Sequence, residues 1–382
     1  MRRIKILDTT LRDGEQSPGC WFSPEDRFTL ACSLEAMGVD VIEVGFPMAS
    51  EVICDSIKAI ASSIKLSQLC CLCRTNKHDI DVAMSVLDKA KNPRLHIFLA
   101  TSDLHLEKKL EITRNEALEQ IVSAIRYAKQ FTDDIQFSAE DATRSDRSFL
   151  SSAFSAAIMA GATTINIADT VGCAFPREIV ALIEYLDSHV LGIDKVSTSV
   201  HCHNDLGMAT ANSLAALDAS IDQIECTVNG IGERAGNAAL EEIVMAIKAR
   251  EKFWGCDTAI RPDALIPLSQ WVATHGGLAV QANKAIVGKN AFSHESGIHV
   301  DGLLKCTDMY EFLDRDTLGI KELSIVLGRQ SGRQSFKAYL KKMGVSLTKS
   351  QFESAFKLFE QLADTKPVVS RSDVLGIIQS ID

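Results

Sequence analysis

The stretch V-H-C-H-N-D-L-G at residues 200–207 places two imidazoles, His201 and His203, on either side of Cys202. In an extended strand successive side chains point to opposite faces, so His201 and His203 share one face and Cys202 takes the other. Two histidines converging on one side suit a metal ion; they equally suit two ordinary hydrogen-bonded polar residues. Only the fold around the stretch decides between these readings.

Working outward, short β-rich runs recur at 4–8, 39–46, 68–73, 95–100, 134–140, 163–169, 197–203 and 222–229. Helix-period segments such as Pro24–Met37, Glu116–Gln130 and Arg177–Leu186 lie between them. Eight strands, each followed by a helix at a spacing of roughly thirty residues, fit an α/β fold of the (β/α)8 TIM-barrel type. The competing doubly wound sheet ordinarily carries a glycine-rich dinucleotide fingerprint after its first strand, where this chain has Asp8-Thr9-Thr10.

Barrel enzymes keep their chemistry where the strands end. Here those ends carry Asp8, Arg12, Asp13, Glu43, Arg74, His96, Thr101, Glu140, Asp169, Thr170, His201, His203 and Asn229. Singly, each is equally a helix cap or an ion-pair partner: Arg12 and Asp13 as an exposed pair, His96 as a satisfied core histidine. Together they line a pocket with metal-ligating capacity. The loop G-I-G-E-R-A-G-N at 230–237 follows the eighth strand. Its Asn237 is placed both to cap a helix beginning near Ala238 and to stand beside a metal.

With 382 residues, 46% of them apolar, the chain has room for one large domain and a smaller one. Lys+Arg 40 against Asp+Glu 50 gives a formal net charge of -10 without charged blocks, which argues against nucleic acid or an anionic membrane as partner. The N-terminal M-R-R-I-K-I-L-D reaches Asp8 before any signal-like apolar run, and no stretch approaches a membrane span, so a cytoplasmic location is expected. Eleven cysteines, with Cys70, Cys71 and Cys73 crowding one strand, read as reduced and mostly buried thiols. The alternation of strands and helices stops near Trp254, which divides the chain into a catalytic barrel at 1–268 and a mainly helical region at 269–382, interrupted around 283–302.

Four stretches carry a resemblance: D-T-T-L-R-D-G-E-Q at 8–16, F-S-A-E-D at 137–141, H-C-H-N-D-L-G at 201–207 with N-G-I-G-E-R-A-G-N at 229–237, and H-E-S-G-I-H-V-D-G at 294–302. Over residue 4 to about 340 the chain resembles the acetyl-CoA-dependent Claisen condensing enzymes, the family of 2-isopropylmalate, homocitrate and citramalate synthases. The likeness is greatest to the 2-isopropylmalate synthases, through A-T-S-D-L-H at 100–105 and I-N-I-A-D-T-V-G from residue 165. The resemblance implies a divalent cation (Mg²⁺, Mn²⁺ or Zn²⁺) on Asp13, His201 and His203, with Asn237 as a weaker ligand. It implies acetyl-CoA as co-substrate, Glu140 with His299 as the base, Arg12 stabilising developing negative charge and Tyr310 assisting. It further implies that His96, Ser138, Asn166 and Thr170 hold a 2-oxo acid, and that a homodimer forms in which the C-terminal region of one subunit completes the site of the other. Outside the motif, His299 reads as a surface histidine of an irregular segment, and His294 as structural support.

The acid expected is 3-methyl-2-oxobutanoate, giving 2-isopropylmalate for leucine synthesis; 2-oxoglutarate and pyruvate are the alternatives. Ala168, where many 2-isopropylmalate synthases carry proline, and Val300 keep the homocitrate reading open. A dicarboxylate would need an extra cation, for which Arg74 is the candidate. A leucine-sensing regulatory domain is not expected. Gln330 and Gln334 stand where the family commonly shows histidines, which bears on CoA-side or interface contacts. More distant readings are a metal-dependent carbon–carbon lyase on the same barrel and a non-catalytic binding protein.

Overall fold

The computed structural model describes residues 1–321 and 323–381. Runs such as Ile135–Glu140 and Thr164–Asp169 are buried nearly throughout, polar residues included, because a parallel strand covered by helices is buried on both faces. Eight such strands, β1 (Lys5–Asp8), β2 (Val41–Glu43), β3 (Gln68–Arg74), β4 (Pro93–Ala100), β5 (Ile135–Glu140), β6 (Thr164–Asp169), β7 (Ser197–Cys202) and β8 (Gln223–Cys226), form a closed parallel barrel. Pairing of Lys5 with Gln223 through Asp8 with Cys226 closes it. This is the (β/α)8 architecture expected from the sequence.

The helices between strands start where the chain supplies caps. Helix α1 (Pro24–Met37) begins with Ser23, whose hydroxyl accepts from the Asp26 amide while Asp26 accepts from the Ser23 amide, and it ends at Gly38 with φ 97°. Its inward residues Arg27, Leu30, Ala31 and Leu34 follow helical spacing. Burying Leu30 and Leu34 stabilises the fold by about 1.5–3 kcal/mol each before entropy is counted.

One layer of the barrel interior departs from the aliphatic filling such barrels ordinarily use. Arg94, Gln136, Ser199 and Gln223 are all buried there. Arg94 on β4 donates to Gln223 on β8 at 2.8 Å, a bond between strands that are not neighbours and so one that crosses the interior.

After the barrel, the strand Cys256–Asp257 pairs in parallel with Arg2–Arg3. The chain divides into Met1–Val280 and Gln281–Asp382. Within the first unit, helix Leu265–Gly276 packs on the barrel: Trp271 stacks on Phe22 at 6.3 Å and the Ser269 carbonyl accepts from Asn229. The second unit is mainly helical, with helices Arg333–Lys342, Lys349–Ala363 and Arg371–Gln379 around Phe336, Phe356 and Phe359. All eleven cysteines are free thiols. Among the described residues no helix is long and apolar enough to cross a membrane.

Candidate active site

Strand β7 ends with His201 pointing into the barrel and Cys202 buried on its other face; His203 follows in a bridge with Asn237. The two Nε2 atoms lie 3.1 Å apart. The turn after β1 brings Asp13 to them, with Oδ2 3.6 Å from each Nε2. Two imidazole nitrogens and a carboxylate oxygen, all buried and facing one point, form a donor set that suits a divalent cation. The alternative of two separately satisfied histidines does not fit, since their nitrogens converge on each other and on a carboxylate.

Asp13 is fixed from the glycine-rich loop. Asn237 Nδ2 donates to Asp13 Oδ1 at 3.0 Å. Gly232, at φ 153°, passes so close that a Cβ there would lie 2.1 Å from Asn237 Nδ2 and 2.9 Å from Asp13 Oδ1, so only glycine fits. Asn237 is therefore not a helix cap: the next helix is Leu240–Ala249, capped at Ala239.

Charges around this centre are strongly coupled. Burial would raise the Asp13 carboxyl, but Arg12, His201 and His203 outweigh it and hold the group well below the usual carboxylate range. Burial and the neighbouring His201 push His203 down to about 4. His201 moves up instead, because Glu225, with Oε2 3.0 Å from His201 Nδ1, outweighs burial. Arg12 bonds Asp13 and Glu43, each at 2.6 Å. Glu43 also accepts from Thr9 and meets His96 Nδ1, each at 2.6 Å.

Beside the cluster opens a cavity of about 270 Å³. His96, Ser138, Glu140, Asn166 and Thr170 supply its polar lining, and Leu72, Phe98 and Ala168 its apolar lining. His96 Nε2 lies 2.5 Å from Ser138 Oγ, which accepts from Asn166 Nδ2 at 2.8 Å. Thr170 Oγ1 accepts from the Asp141 amide at 2.9 Å. Asp141 is a buried residue with φ 61°, an unusual backbone for aspartate that re-aims the chain just after Glu140.

The barrel thus brings together Arg12, Asp13, His96, Ser138, Glu140, Asn166, Thr170, His201, His203 and Asn237. His299 and Tyr310 belong to the second unit, where their rings meet at 4.4 Å. His299 is not in an irregular segment: it lies in helix Gly297–Lys305. His294 pairs with Glu311 at 3.0 Å, the structural part expected of it. Arg74 is turned away, 54% exposed and held by both carboxylate oxygens of Asp79. Gln334 is exposed on helix Arg333–Lys342, and nothing in the structure explains the exchange at Gln330 and Gln334.

Several residues at the site went unassigned from sequence. Lys109 donates to Glu140 at 2.5 Å, and His105 Nδ1 lies 3.3 Å from the same oxygen. Both come from 103–110, where a three-residue helical turn runs into the π-turn Leu106–Leu110. Glu233 lines the cavity, and Glu225 stands behind His201. Strand parity gives a signal for Glu225 and Gln136: they share faces with Gln223 and Ser138, each two residues away.

Residues 3–272 match the HMGL-like family model, and residues 286–367 match the homocitrate synthase post-HMGL domain-like model. The chain is 48% identical over 380 residues to a 2-isopropylmalate synthase of Dictyoglomus turgidum, covering 100% of this chain and 75% of the relative. It is 47% identical over 378 residues to that of Pyrococcus furiosus, covering 99% and 76%. Among solved structures, hydroxymethylglutaryl-CoA lyase from Pseudomonas aeruginosa superposes with a TM-score of 0.64 at 20% identity, covering 73% of this chain and 95% of that one. The carboxyl transferase domain of Rhizobium etli pyruvate carboxylase gives 0.57 at 13% identity, covering 100% and 60%. At these identities the structural matches speak for the fold alone.

Proposed function

This chain belongs to the 2-isopropylmalate synthase family, and from that premise we propose that it condenses acetyl-CoA with 3-methyl-2-oxobutanoate at the barrel mouth and hydrolyses the resulting thioester. The observation that carries the choice of acid is the cavity beside Asp13, His201 and His203, whose lining includes the apolar side chains of Leu72, Phe98 and Ala168. Its two lining cations are both committed: Arg12 to Asp13 and Glu43, Arg234 to Asp205 and the Thr170 carbonyl. A branched apolar side chain suits this lining. The second carboxylate of 2-oxoglutarate would meet no spare cation among the described residues of the cavity.

Asp13, His201 and His203 would hold the divalent cation, with Asn237 beside them. When bound, such an ion would be chelated by the 2-oxo acid and would polarise its carbonyl. Ser138, Asn166, Thr170 and His96 orient the acid through hydrogen bonds. Glu140, acting with His299, takes a proton from the acetyl methyl group. Lys109 and His105 keep the Glu140 carboxylate in place meanwhile. Arg12 stabilises the negative charge that develops on oxygen as the carbon–carbon bond forms, and Tyr310 assists. Water then attacks the thioester carbonyl and CoA leaves as the thiol.

His299 and Tyr310 come from the second unit, which we assign as a helical region completing a site. It carries exposed apolar side chains around them, Ile298 at 76% and Phe312 at 72%, with Leu304 and Met309 also exposed. That face supports a homodimer in which one subunit covers the barrel of the other. Free thiols throughout support a cytoplasmic location.

The deciding experiment measures CoA release from acetyl-CoA with Mg²⁺ or Mn²⁺ and each of 3-methyl-2-oxobutanoate, 2-oxoglutarate and pyruvate. Preference for the branched acid is expected. Preference for 2-oxoglutarate would overturn the cavity argument.

A further inference from the structure

The polar layer inside the barrel is costly where aliphatic side chains would serve, and buried polar networks are tolerated when every member is satisfied. We propose that Gln136 is a positioning residue that ties the metal-facing His201 and the substrate-side His96 to one fixed amide, so that the two halves of the site are set together.

The orientation of that amide follows from its neighbours. A guanidinium can only donate. Arg94 Nη1 donates to Gln136 Oε1 at 3.2 Å, and Gln223 Nε2 donates to the same oxygen at 2.9 Å. Arg94 is itself anchored by Asp134, with Nε to Oδ1 at 2.8 Å. The Gln136 NH₂ group must therefore face the other way, toward the mouth of the barrel. There it has two acceptors, Glu225 Oε1 at 2.5 Å and His96 Nε2 at 3.1 Å.

Each contact fixes an imidazole. On one side, Gln136 holds Glu225, whose second oxygen stands 3.0 Å from His201 Nδ1. With that nitrogen protonated toward the carboxylate, His201 Nε2 keeps its lone pair toward Asp13 and His203. On the other side, His96 Nε2 faces an N–H and so acts as acceptor, which puts the ring proton on Nδ1, 2.6 Å from Glu43 Oε1. The Ser138 hydroxyl, 2.5 Å from Nε2, then donates to the ring, and its oxygen remains free to accept from Asn166. Neither His201 Nδ1 nor His203 Nδ1 has a hydrogen bond of good geometry among the described residues, but His201 Nδ1 has the Glu225 carboxylate 3.0 Å behind it.

This inference rests on the metal reading of Asp13, His201 and His203, and the test separates the two. Binding of Mn²⁺ alone is measured by titration calorimetry on the wild-type chain, on Gln136→Met and on Glu225→Gln, with KM for each substrate alongside. Gln136→Met is expected to weaken Mn²⁺ binding by about 10–100-fold and to raise KM for the 2-oxo acid by about tenfold, leaving KM for acetyl-CoA within about twofold. Glu225→Gln, which keeps the side-chain volume, is expected to reproduce the loss of Mn²⁺ affinity and to spare the 2-oxo acid's own contacts, even if Gln136→Met fails to fold. Wild-type Mn²⁺ affinity in a folded Gln136→Met or in Glu225→Gln overturns the proposal, including when only the melting temperature falls. A wild-type chain that does not bind Mn²⁺ overturns the metal reading itself and this inference with it.

Discussion

Replacing Gly232 by alanine should disable the site without unfolding the barrel. At φ 153° the added Cβ would sit 2.1 Å from Asn237 Nδ2 and 2.9 Å from Asp13 Oδ1, so both must move. Backbone at this φ costs a non-glycine residue about 1–3 kcal/mol. The larger effect is on geometry, because relieving the 2.1 Å contact displaces by about an ångström the Asn237 amide that holds Asp13, and misplacement on that scale costs about 10²-fold in rate. Gly255→Ala is the control: φ is 63° and nothing lies within 4 Å of its Cβ, so it carries backbone strain of about 1–2 kcal/mol and no collision. Steady-state kinetics and Mn²⁺ titration on both variants separate strain from collision. Gly232→Ala should lose about two orders of magnitude in kcat/KM together with metal affinity, while Gly255→Ala keeps both. Wild-type kcat/KM and Mn²⁺ affinity in Gly232→Ala would refute the claim that this loop fixes Asp13.

Ala168→Leu adds bulk to the apolar lining of the cavity and should weaken selection of 3-methyl-2-oxobutanoate over pyruvate by about 10–100-fold in kcat/KM, read by competing the two acids. Ser23→Ala removes the capping box of α1 and should cost about 1 kcal/mol in urea unfolding, with kcat unchanged. Burial raises the Asp8 carboxyl from 3.8 to about 7, against hydrogen bonds from Thr10 that lower it. Between those values the folded chain keeps a proton that the unfolded chain has released, so stability is lost as pH rises through this window. Asp8→Asn should therefore flatten the fall in melting temperature between about pH 4 and 7; an unchanged slope would show that Asp8 does not cause it.

How much was legible beforehand depended on how local the determinants are. Strand parity alone put His201 and His203 on one face, and the recurrence of apolar runs gave all eight barrel strands. Which strand ends would enter the cavity was less clear. Arg74 ends β3 as His201 nearly ends β7, yet Asp79, five residues on, captures it outside. The helix after the glycine-rich loop starts at Leu240 rather than near Ala238 because Asn237 is committed to Asp13, a partner more than 200 residues away. The role of Gln136 was hidden for the same reason: its four partners sit on β4 and β8, whose proximity exists only once the barrel closes. Helix Leu265–Gly276 packs on the barrel through Trp271 and Phe22, and no local signal in 265–276 announces that contact.

Closure of the barrel also has a consequence for synthesis. Lys5 on β1 pairs with Gln223 on β8, and Thr10 reaches Val228 across a separation of 218 residues. At ribosomal speeds of about 5–20 residues per second, β1 waits roughly ten to forty seconds for its second neighbour to emerge. Throughout that interval the edge of β1 stands unpaired on the nascent chain, open to misplaced pairing until β8 emerges.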